Sequence, residues 1–285
     1  MFDVIVVGGG PAGISSAIYL KRFKLDVLVL MKDFGALDKT DHIENYYGFP
    51  NPVSGRQIVE NGLSQASRLG IEIRNEEVLN IDKTELFVIK TNRNEYEAKT
   101  VLLATGSSRV NLRIPGFSDF VGKGISYCAI CDGFLYRKQT IAILGEGEFM
   151  AEELEVLRNF SSDLYVFTNG LPLSVKVEGT KIITDPITGF IGDEVVNTIV
   201  TDKASYPVNA VFVAIGTPSA TDFALRMGAF VDNNMIAVND KYMTNIPGLF
   251  AAGDCIGGLS QIAKAVADGA EAALAINKYI HSKTS

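Results

Sequence analysis

The sequence predicts an α/β protein built from two Rossmann-like, three-layer ββα domains. Three observations carry that expectation. A strand–glycine loop–helix unit opens the chain near Phe2, and a second unit of the same outline begins near Thr140. The chain's 285 residues are enough to bury two cores. A hydrophobic fraction of 47% with 27 glycines suits buried strands joined by tight turns.

The first unit reads as a strand from Phe2 to Val7, then Gly8-Gly-Gly10-Pro11-Ala12-Gly13. An apolar-periodic helix to about Phe23 and a buried strand at residues 26–30 follow. Gly8 permits the tight turn, Gly10 lets a pyrophosphate approach the backbone, and Gly13 lets the helix pack close. The helix start, entered through Pro11 and Ala12, offers amide donors and the positive end of a dipole. Asp33 follows the second strand, where a carboxylate can reach a ribose hydroxyl. This is a dinucleotide cradle.

Before the second unit stands Cys128-Ala-Ile-Cys131, followed at once by Asp132-Gly133. Two cysteines two residues apart can close a small disulfide, and the attacking one is readily held as thiolate. Zinc is the competing reading, but a structural zinc normally takes four ligands. The other candidates, Cys255, His42 and His281, form no paired motif, so no metal is expected. Cradle and dithiol together imply electron transfer between a bound dinucleotide cofactor and a disulfide.

The second unit comprises a strand at Ile141–Leu144, Gly145-Glu146-Gly147-Glu148-Phe149-Met150, and a strand at Leu164–Phe167. Its outline is the same but its chemistry differs. Met150 replaces the third small residue and is expected to hinder close helix packing. Glu146 and Glu148 would face a diphosphate, each costing on the order of 1 kcal/mol even when solvated. Thr168-Asn169-Gly170 then supplies no arginine for a 2′-phosphate and no acid for a ribose. This unit is expected to keep the fold and not the ligand.

Composition narrows the partners. A net charge of −7 argues against nucleic acid. No apolar run approaches the ~18 residues of a membrane span. Met1 leads straight into a strand with no basic flank, so no signal peptide is expected. Three cysteines, two of them in a redox motif, fit a cytoplasmic setting. Cys255 is expected to be a small buried filler.

In these motifs the chain resembles the low-molecular-weight flavoprotein thioredoxin reductases over nearly its whole length. Ser126-Tyr-Cys128-Ala-Ile-Cys131-Asp132-Gly133-Phe134 resembles their redox-active segment. Glu44-Asn45, Gly48-Phe49-Pro50 and Ser54-Gly55 resemble their flavin-proximal loop. Leu103-Ala104-Thr105-Gly106 is similar to their first crossover, and the run ending Gly253-Asp254, with Gln261, to their C-terminal flavin segment. The resemblance implies FAD, held by Gly8, Gly10, Pro11, Ala12, Gly13, Asp33, Asn45, Ala104, Thr105, Gly106, Gly253, Asp254 and Gln261. It also implies a discontinuous FAD domain, residues 1–112 and 243–285, around an inserted domain at 113–242, and a homodimer. Cys131 would lie nearer the flavin, and Cys128 would be the outward nucleophile that exchanges with thioredoxin. Asp132 would act as general acid/base for the departing thiolate.

The departures point to the donor. Family members that use NADPH carry a His-Arg-Arg run and a further arginine where this chain has Thr168-Asn169-Gly170, and the stretch 168–214 is short. Gly35-Ala36-Leu37-Asp38 stands in place of a Gly-Gly-Gln stretch, and Ser260-Gln261 in place of Arg-Gln. The chain is similar instead to the smaller branch that takes electrons from ferredoxin. A plant-type ferredoxin and thioredoxin differ by about 130 mV, worth roughly 6 kcal/mol for two electrons. Charge does not identify a dock: Lys21, Arg22 and Lys24 form one basic cluster, Arg137 and Lys138 another. Two rival readings also lack a nicotinamide site: a dithiol oxidase passing electrons from thiols to oxygen, and a flavin-bound redox sensor without turnover. The intact Cys-x-x-Cys-Asp argues against the sensor.

Overall fold

The structure, a computed structural model, describes residues 1–106 and 112–284. It divides into two compact units, Met1–Ser108 with Ser219–Ser285, and Arg109–Pro218.

The first unit starts with β1 (Phe2–Val7), α1 (Pro11–Arg22) and β2 (Val27–Met31). Strand alternation sends Val4 and Val6 into one core and Ile5 and Val7 into a second core on the opposite face. Burial on both faces marks a central parallel strand. Helix α1 ends where Lys24 turns left-handed (φ 64°) and the Leu25 amide returns to the Leu20 carbonyl. Then come α2 (Gly55–Arg68), capped by the Ser54 side chain, and β3 (Glu72–Asn75). A meander of β4 (Val78–Lys83), β5 (Phe87–Thr91) and β6 (Glu95–Leu103) completes this half. Among the described residues the sheet runs β3-β2-β1-β6-β5-β4. The strands β3, β2, β1 and β6 are parallel, whereas β4, β5 and β6 are antiparallel.

The second unit begins with α3 (Phe117–Phe120), β7 (Ile125–Ser126) and the single turn α4 (Ala129–Asp132). Next are β8 (Ile141–Leu144), α5 (Glu148–Arg158), β9 (Leu164–Phe167) and β10 (Lys181–Ile183). An antiparallel layer of β11 (Ile187–Gly192), β12 (Val196–Thr201) and β13 (Ser205–Pro207) precedes β14 (Ala210–Val213). The parallel sheet is ordered β10-β9-β8-β14-β7. Ile141 and Ile143 face the core against α5, while Ala142 and Leu144 face the other side.

The chain returns to the first unit through α6 (Ala220–Arg226), started by a capping box between Ser219 and Asp222. The pair β15 (Val231–Asp232) and β16 (Met235–Ile236), the strand β17 (Leu249–Ala251) and the helix α7 (Ile262–Thr284) follow. One boundary differs from the sequence expectation, which gave residues 113–242 to the inserted domain. Residues 219–242 belong instead to the first unit, because Ala220, Phe223, Ala224, Ala229 and Ile236 are buried with Ile5, Leu28 and Val101. The expected first crossing, after residue 112, adjoins residues 107–111, which lie outside the described residues. Among the described residues no helix is long and apolar enough to cross a membrane.

Candidate functional site

The parallel strands β1, β2, β6 and β17 end on the same side of the first unit's sheet. Their carboxyl ends lead into Gly8, Asp33, Ala104 and Gly253, the position where open α/β sheets take ligands. Backbone contacts bring the loops together. A Cβ on Gly8 (φ 119°) would fall 2.3 Å from the Ala104 carbonyl oxygen, and one on Gly13 would fall 2.0 Å from the Gly8 oxygen. At Gly253 (φ 84°) it would lie 3.0 Å from the Ala12 Cβ, and at Gly269 on α7, 2.1 Å from the Ala12 oxygen. Gly10 is different, because a Cβ there meets nothing within 4 Å. It also caps α1, with Pro11 following, without any side-chain hydrogen bond. The open space beside Gly10 adjoins the positive end of the α1 dipole, which fits a diphosphate.

The other expected cofactor residues take individual positions. Asp33 is exposed just past β2, and its Oδ1 accepts from the Gly35 amide at 2.8 Å. Asn45 and Gln261, 216 residues apart, are joined by an Asn45 Nδ2 donation to Gln261 Oε1 at 2.8 Å. The Thr105 hydroxyl accepts from the Ala220 amide at 2.8 Å and so serves the start of α6. Gly106 adopts φ 79°, and Asp254 opens a 3₁₀ turn to Ile256.

A clamp behind Gly253 escaped the sequence reading. Lys264 Nζ donates to the Gly253 carbonyl at 3.2 Å and to the Gly257 carbonyl, and pairs with Asp268 Oδ2 at 2.7 Å. The same Asp268 oxygen accepts from the Gly253 amide at 3.1 Å. The signal available was the i, i+4 spacing of opposite charges on the helix after Gly253-Asp254. Tyr242 donates to Asp268 at 3.2 Å and to Glu271 at 2.9 Å. Burial, then the Glu271 hydrogen bond and the Asp268 charge, push its phenol well above the usual range.

In the second unit Cys128 and Cys131 are joined as a disulfide. The Cys131 amide points at Cys128 Sγ at 3.2 Å, and the Cys128 amide donates to Ser126 Oγ at 3.1 Å. Ser126 in turn donates to Asp132 Oδ2 at 2.6 Å, so one hydroxyl links the Cys128 backbone to the expected acid. The Ala129 amide donates to the buried carboxylate of Glu153 at 3.0 Å. Burial, then the Asp132 charge, raise the Tyr136 phenol. Gly133 is required by packing, since a Cβ there would lie 2.6 Å from the Phe160 ring. Cys128 is 3% exposed and Cys131 half-buried, so the residue expected to face outward is the more buried one here. Ile130, Phe134 and Leu135, each more than half exposed, give the segment an apolar rim. Cys255 stands apart in the first unit, 1% exposed, its thiol pushed by burial up to about 12.

The second glycine loop keeps the turn and is covered by its own chain. A Cβ on Gly145 would lie 2.2 Å from the Ala214 oxygen, the counterpart of Gly8 against Ala104. Met150, fully buried, packs its Cβ where Gly145 has none. Helix α5 starts on schedule all the same, so the methionine is accommodated in the core. Ser174 donates to the Glu146 carbonyl with both its amide and its hydroxyl, each at 2.8 Å. Leu173, Val175 and Val177 pack on the α5 core and hold this strap down.

The pyridine nucleotide-disulphide oxidoreductase family matches residues 2–269. The thioredoxin reductase of Aquifex aeolicus (strain VF5) is 32% identical over 308 aligned residues, covering 99% of this chain and 94% of that protein. Among solved structures, the atypical thioredoxin reductase TRi from Desulfovibrio vulgaris Hildenborough superposes with a TM-score of 0.91 at 34% identity, covering 99% of each chain. A ferredoxin-flavin thioredoxin reductase from Clostridium acetobutylicum follows with a TM-score of 0.71 at 31% identity, covering 99% of this chain and 98% of that one. With its glycine cradle and its bonded Cys128–Cys131 pair, the chain belongs to the pyridine nucleotide-disulphide oxidoreductase family and, within it, to the thioredoxin reductases, which are flavoprotein disulfide reductases.

Proposed function

We propose that this protein takes electrons from reduced ferredoxin, through FAD bound at the first glycine loop, to the Cys128–Cys131 disulfide and then to thioredoxin. The observation that carries the choice of donor is the strap over the second loop. Ser174 occupies the Glu146 carbonyl twice, and Glu146 and Glu148 add negative charge where a nicotinamide dinucleotide would need its phosphates accepted. One of the solved relatives is itself named a ferredoxin-flavin reductase. FAD is favoured over a mononucleotide by the open backbone at Gly10, which suits a pyrophosphate.

Bound flavin would supply the conversion of single electrons into a pair. The chain's own residues do the rest. Two electrons and a proton open the Cys128–Cys131 bond to one thiol and one thiolate. The Cys128 sulfur attacks the thioredoxin disulfide, forming a mixed disulfide and expelling a partner thiolate, to which Asp132 passes a proton. The Cys131 thiolate then attacks Cys128, restores the internal disulfide and releases the second partner sulfur. Cys128 must become accessible for the first attack, and Ile130, Phe134 and Leu135 offer an apolar surface beside it.

The test is anaerobic stopped-flow absorbance at the flavin band with reduced ferredoxin, NADPH and NADH in turn. Bleaching by ferredoxin alone, followed by new thiols on thioredoxin, is the expected outcome. Fast, saturable bleaching by either nicotinamide would end the ferredoxin assignment.

A further inference from the structure

Helix α7 opens with a charge that helix physics disfavours. Lys264 is its third residue, a cation in the first turn, at the positive end of the dipole. Its partner Asp268 follows at i+4, the reverse of the acid-before-base order that supports a helix. Both side chains are drawn in, at 22% and 7% exposed. The helix gains little from this pair, and what the pair holds is the turn before it.

The hold is on the backbone at both ends of the 3₁₀ turn Asp254–Ile256. Gly253 precedes that turn with φ 84° and ψ −151°, and Gly257 follows it with φ 79° and ψ −160°. Only glycine adopts this conformation routinely, and it persists where the surroundings fix it. Lys264 Nζ donates to the carbonyls of both glycines, at 3.2 Å for Gly253. Its third N–H goes to Asp268 Oδ2 at 2.7 Å, so the three donors of the ammonium meet three acceptors. The same Asp268 oxygen accepts from the Gly253 amide at 3.1 Å, which leaves the N–H and the C=O of Gly253 each held by a charged side chain. The Tyr242 hydroxyl lies 3.2 Å from the other oxygen, Asp268 Oδ1. A Cβ on Gly258 would lie 3.2 Å from Lys264 Cε, so the backbone also closes over the lysine stem. Gly253 itself abuts Ala12 at the start of α1, and any shift of the turn is felt at the first glycine loop.

We propose that Lys264 is a positioning residue for the flavin cofactor: with Asp268 it locks the two glycines that flank the Asp254–Ile256 turn, and so fixes Gly253 and Asp254 in the arrangement that the cofactor binds. It acts through the backbone and needs no contact with the cofactor. The inference rests on the reading of this cradle as the FAD site.

Two measurements test it. FAD released from the loaded protein on serial dilution, read by flavin fluorescence, gives the dissociation constant, and denaturant unfolding of the flavin-free protein gives the stability separately. Lys264→Met keeps the stem and removes the donors. Combining it with Asp268→Asn also removes the carboxylate left without its cation. In both, Kd is expected to rise about tenfold, the scale of one charged hydrogen bond, while the unfolding midpoint of the double variant stays near that of the unaltered protein. Lys264→Arg, whose guanidinium also donates to several acceptors, is expected to keep Kd within about threefold. A merely structural pair would lower the unfolding midpoint and leave the Kd of the folded protein unchanged, and that result overturns the proposal. So does a Lys264→Arg protein weakened as much as Lys264→Met. If Lys264→Met does not fold, the double variant decides alone, and failure of both to fold makes the pair structural and also overturns it. An unaltered chain that binds no FAD removes the reading of the cradle, a result distinct from variants that bind FAD as tightly as the unaltered chain.

Discussion

The two glycine loops share a backbone and differ in what occupies the space above it. In each, a glycine directly after the first strand lies so close to a carbonyl on a neighbouring strand's end that a Cβ would collide: Gly8 with Ala104 at 2.3 Å, Gly145 with Ala214 at 2.2 Å. At the third glycine position they part. A Cβ on Gly13 would strike the Gly8 oxygen at 2.0 Å, whereas Met150 at the corresponding position carries a fully buried side chain. They part again above the middle glycine. The space over Gly10 is open, while the neighbouring loop residue Glu146 already holds Ser174 on its carbonyl. The turn is thus a property of the fold, and the open space above it is not. One can be kept without the other.

Three variants separate these contributions. The largest effect is expected from Gly10→Val. A Cβ there meets nothing within 4 Å, so the flavin-stripped protein should melt as before. Flavin affinity should fall about tenfold or more, at least 1.4 kcal/mol, measured as the flavin absorbance retained after dialysis. Unchanged flavin content would remove the pyrophosphate from this loop. Gly145→Ala is the mirror experiment. Its Cβ strikes the Ala214 oxygen, so stability should drop by about 1–3 kcal/mol in denaturant melts while flavin content per folded chain stays constant. Loss of flavin from this variant would mean that the second loop contributes to the cofactor site after all.

The smallest effect is expected from Glu146→Gln combined with Glu148→Gln. Both carboxylates leave the loop, but the Ser174 strap hangs on the Glu146 carbonyl, which the substitution retains. Stability should stay within about 0.5 kcal/mol, and neither NADPH nor NADH should begin to bleach the flavin. Bleaching gained by this pair would identify charge, not the strap, as what closes the second loop.

Local patterns were legible in the sequence, and distant meetings were not. The strand at Phe2–Val7, the glycine run after it and the dithiol follow from residues adjacent in the chain, and the structure places them accordingly. Asn45 and Gln261 were each named, but their hydrogen bond joins positions 216 residues apart and leaves no trace in either neighbourhood. The boundary at Ser219 was missed because α6 has only 7 residues and its apolar face is explained solely by the core it enters. Met150 was read as an obstacle to helix packing because sequence shows the lost glycine and not the room made for its replacement. Glu153 was passed over as one of several glutamates on an amphipathic helix. Its burial depends on a turn more than twenty residues upstream.

Strand β6 pairs along one edge with two different strands, β5 at residues 95–98 and β17 at residues 101–103. The consequence lies in the order in which a newly made chain assembles. All of the second unit comes from one uninterrupted stretch, so its core is complete once residue 218 has been synthesised. The first unit at that moment lacks β17, and it lacks the α7 residues Ala272, Ala273 and Ile276 that close the core over α1. Joining β17 to β6 spans a very long intervening stretch, but closure entropy grows only by about 0.6 kcal/mol for each doubling of loop length. The inserted unit is therefore first in time although second in the fold. Gly253 and Asp254 lie in the stretch made last, so the loops after β1, β6 and β17 can meet only once that stretch has been synthesised.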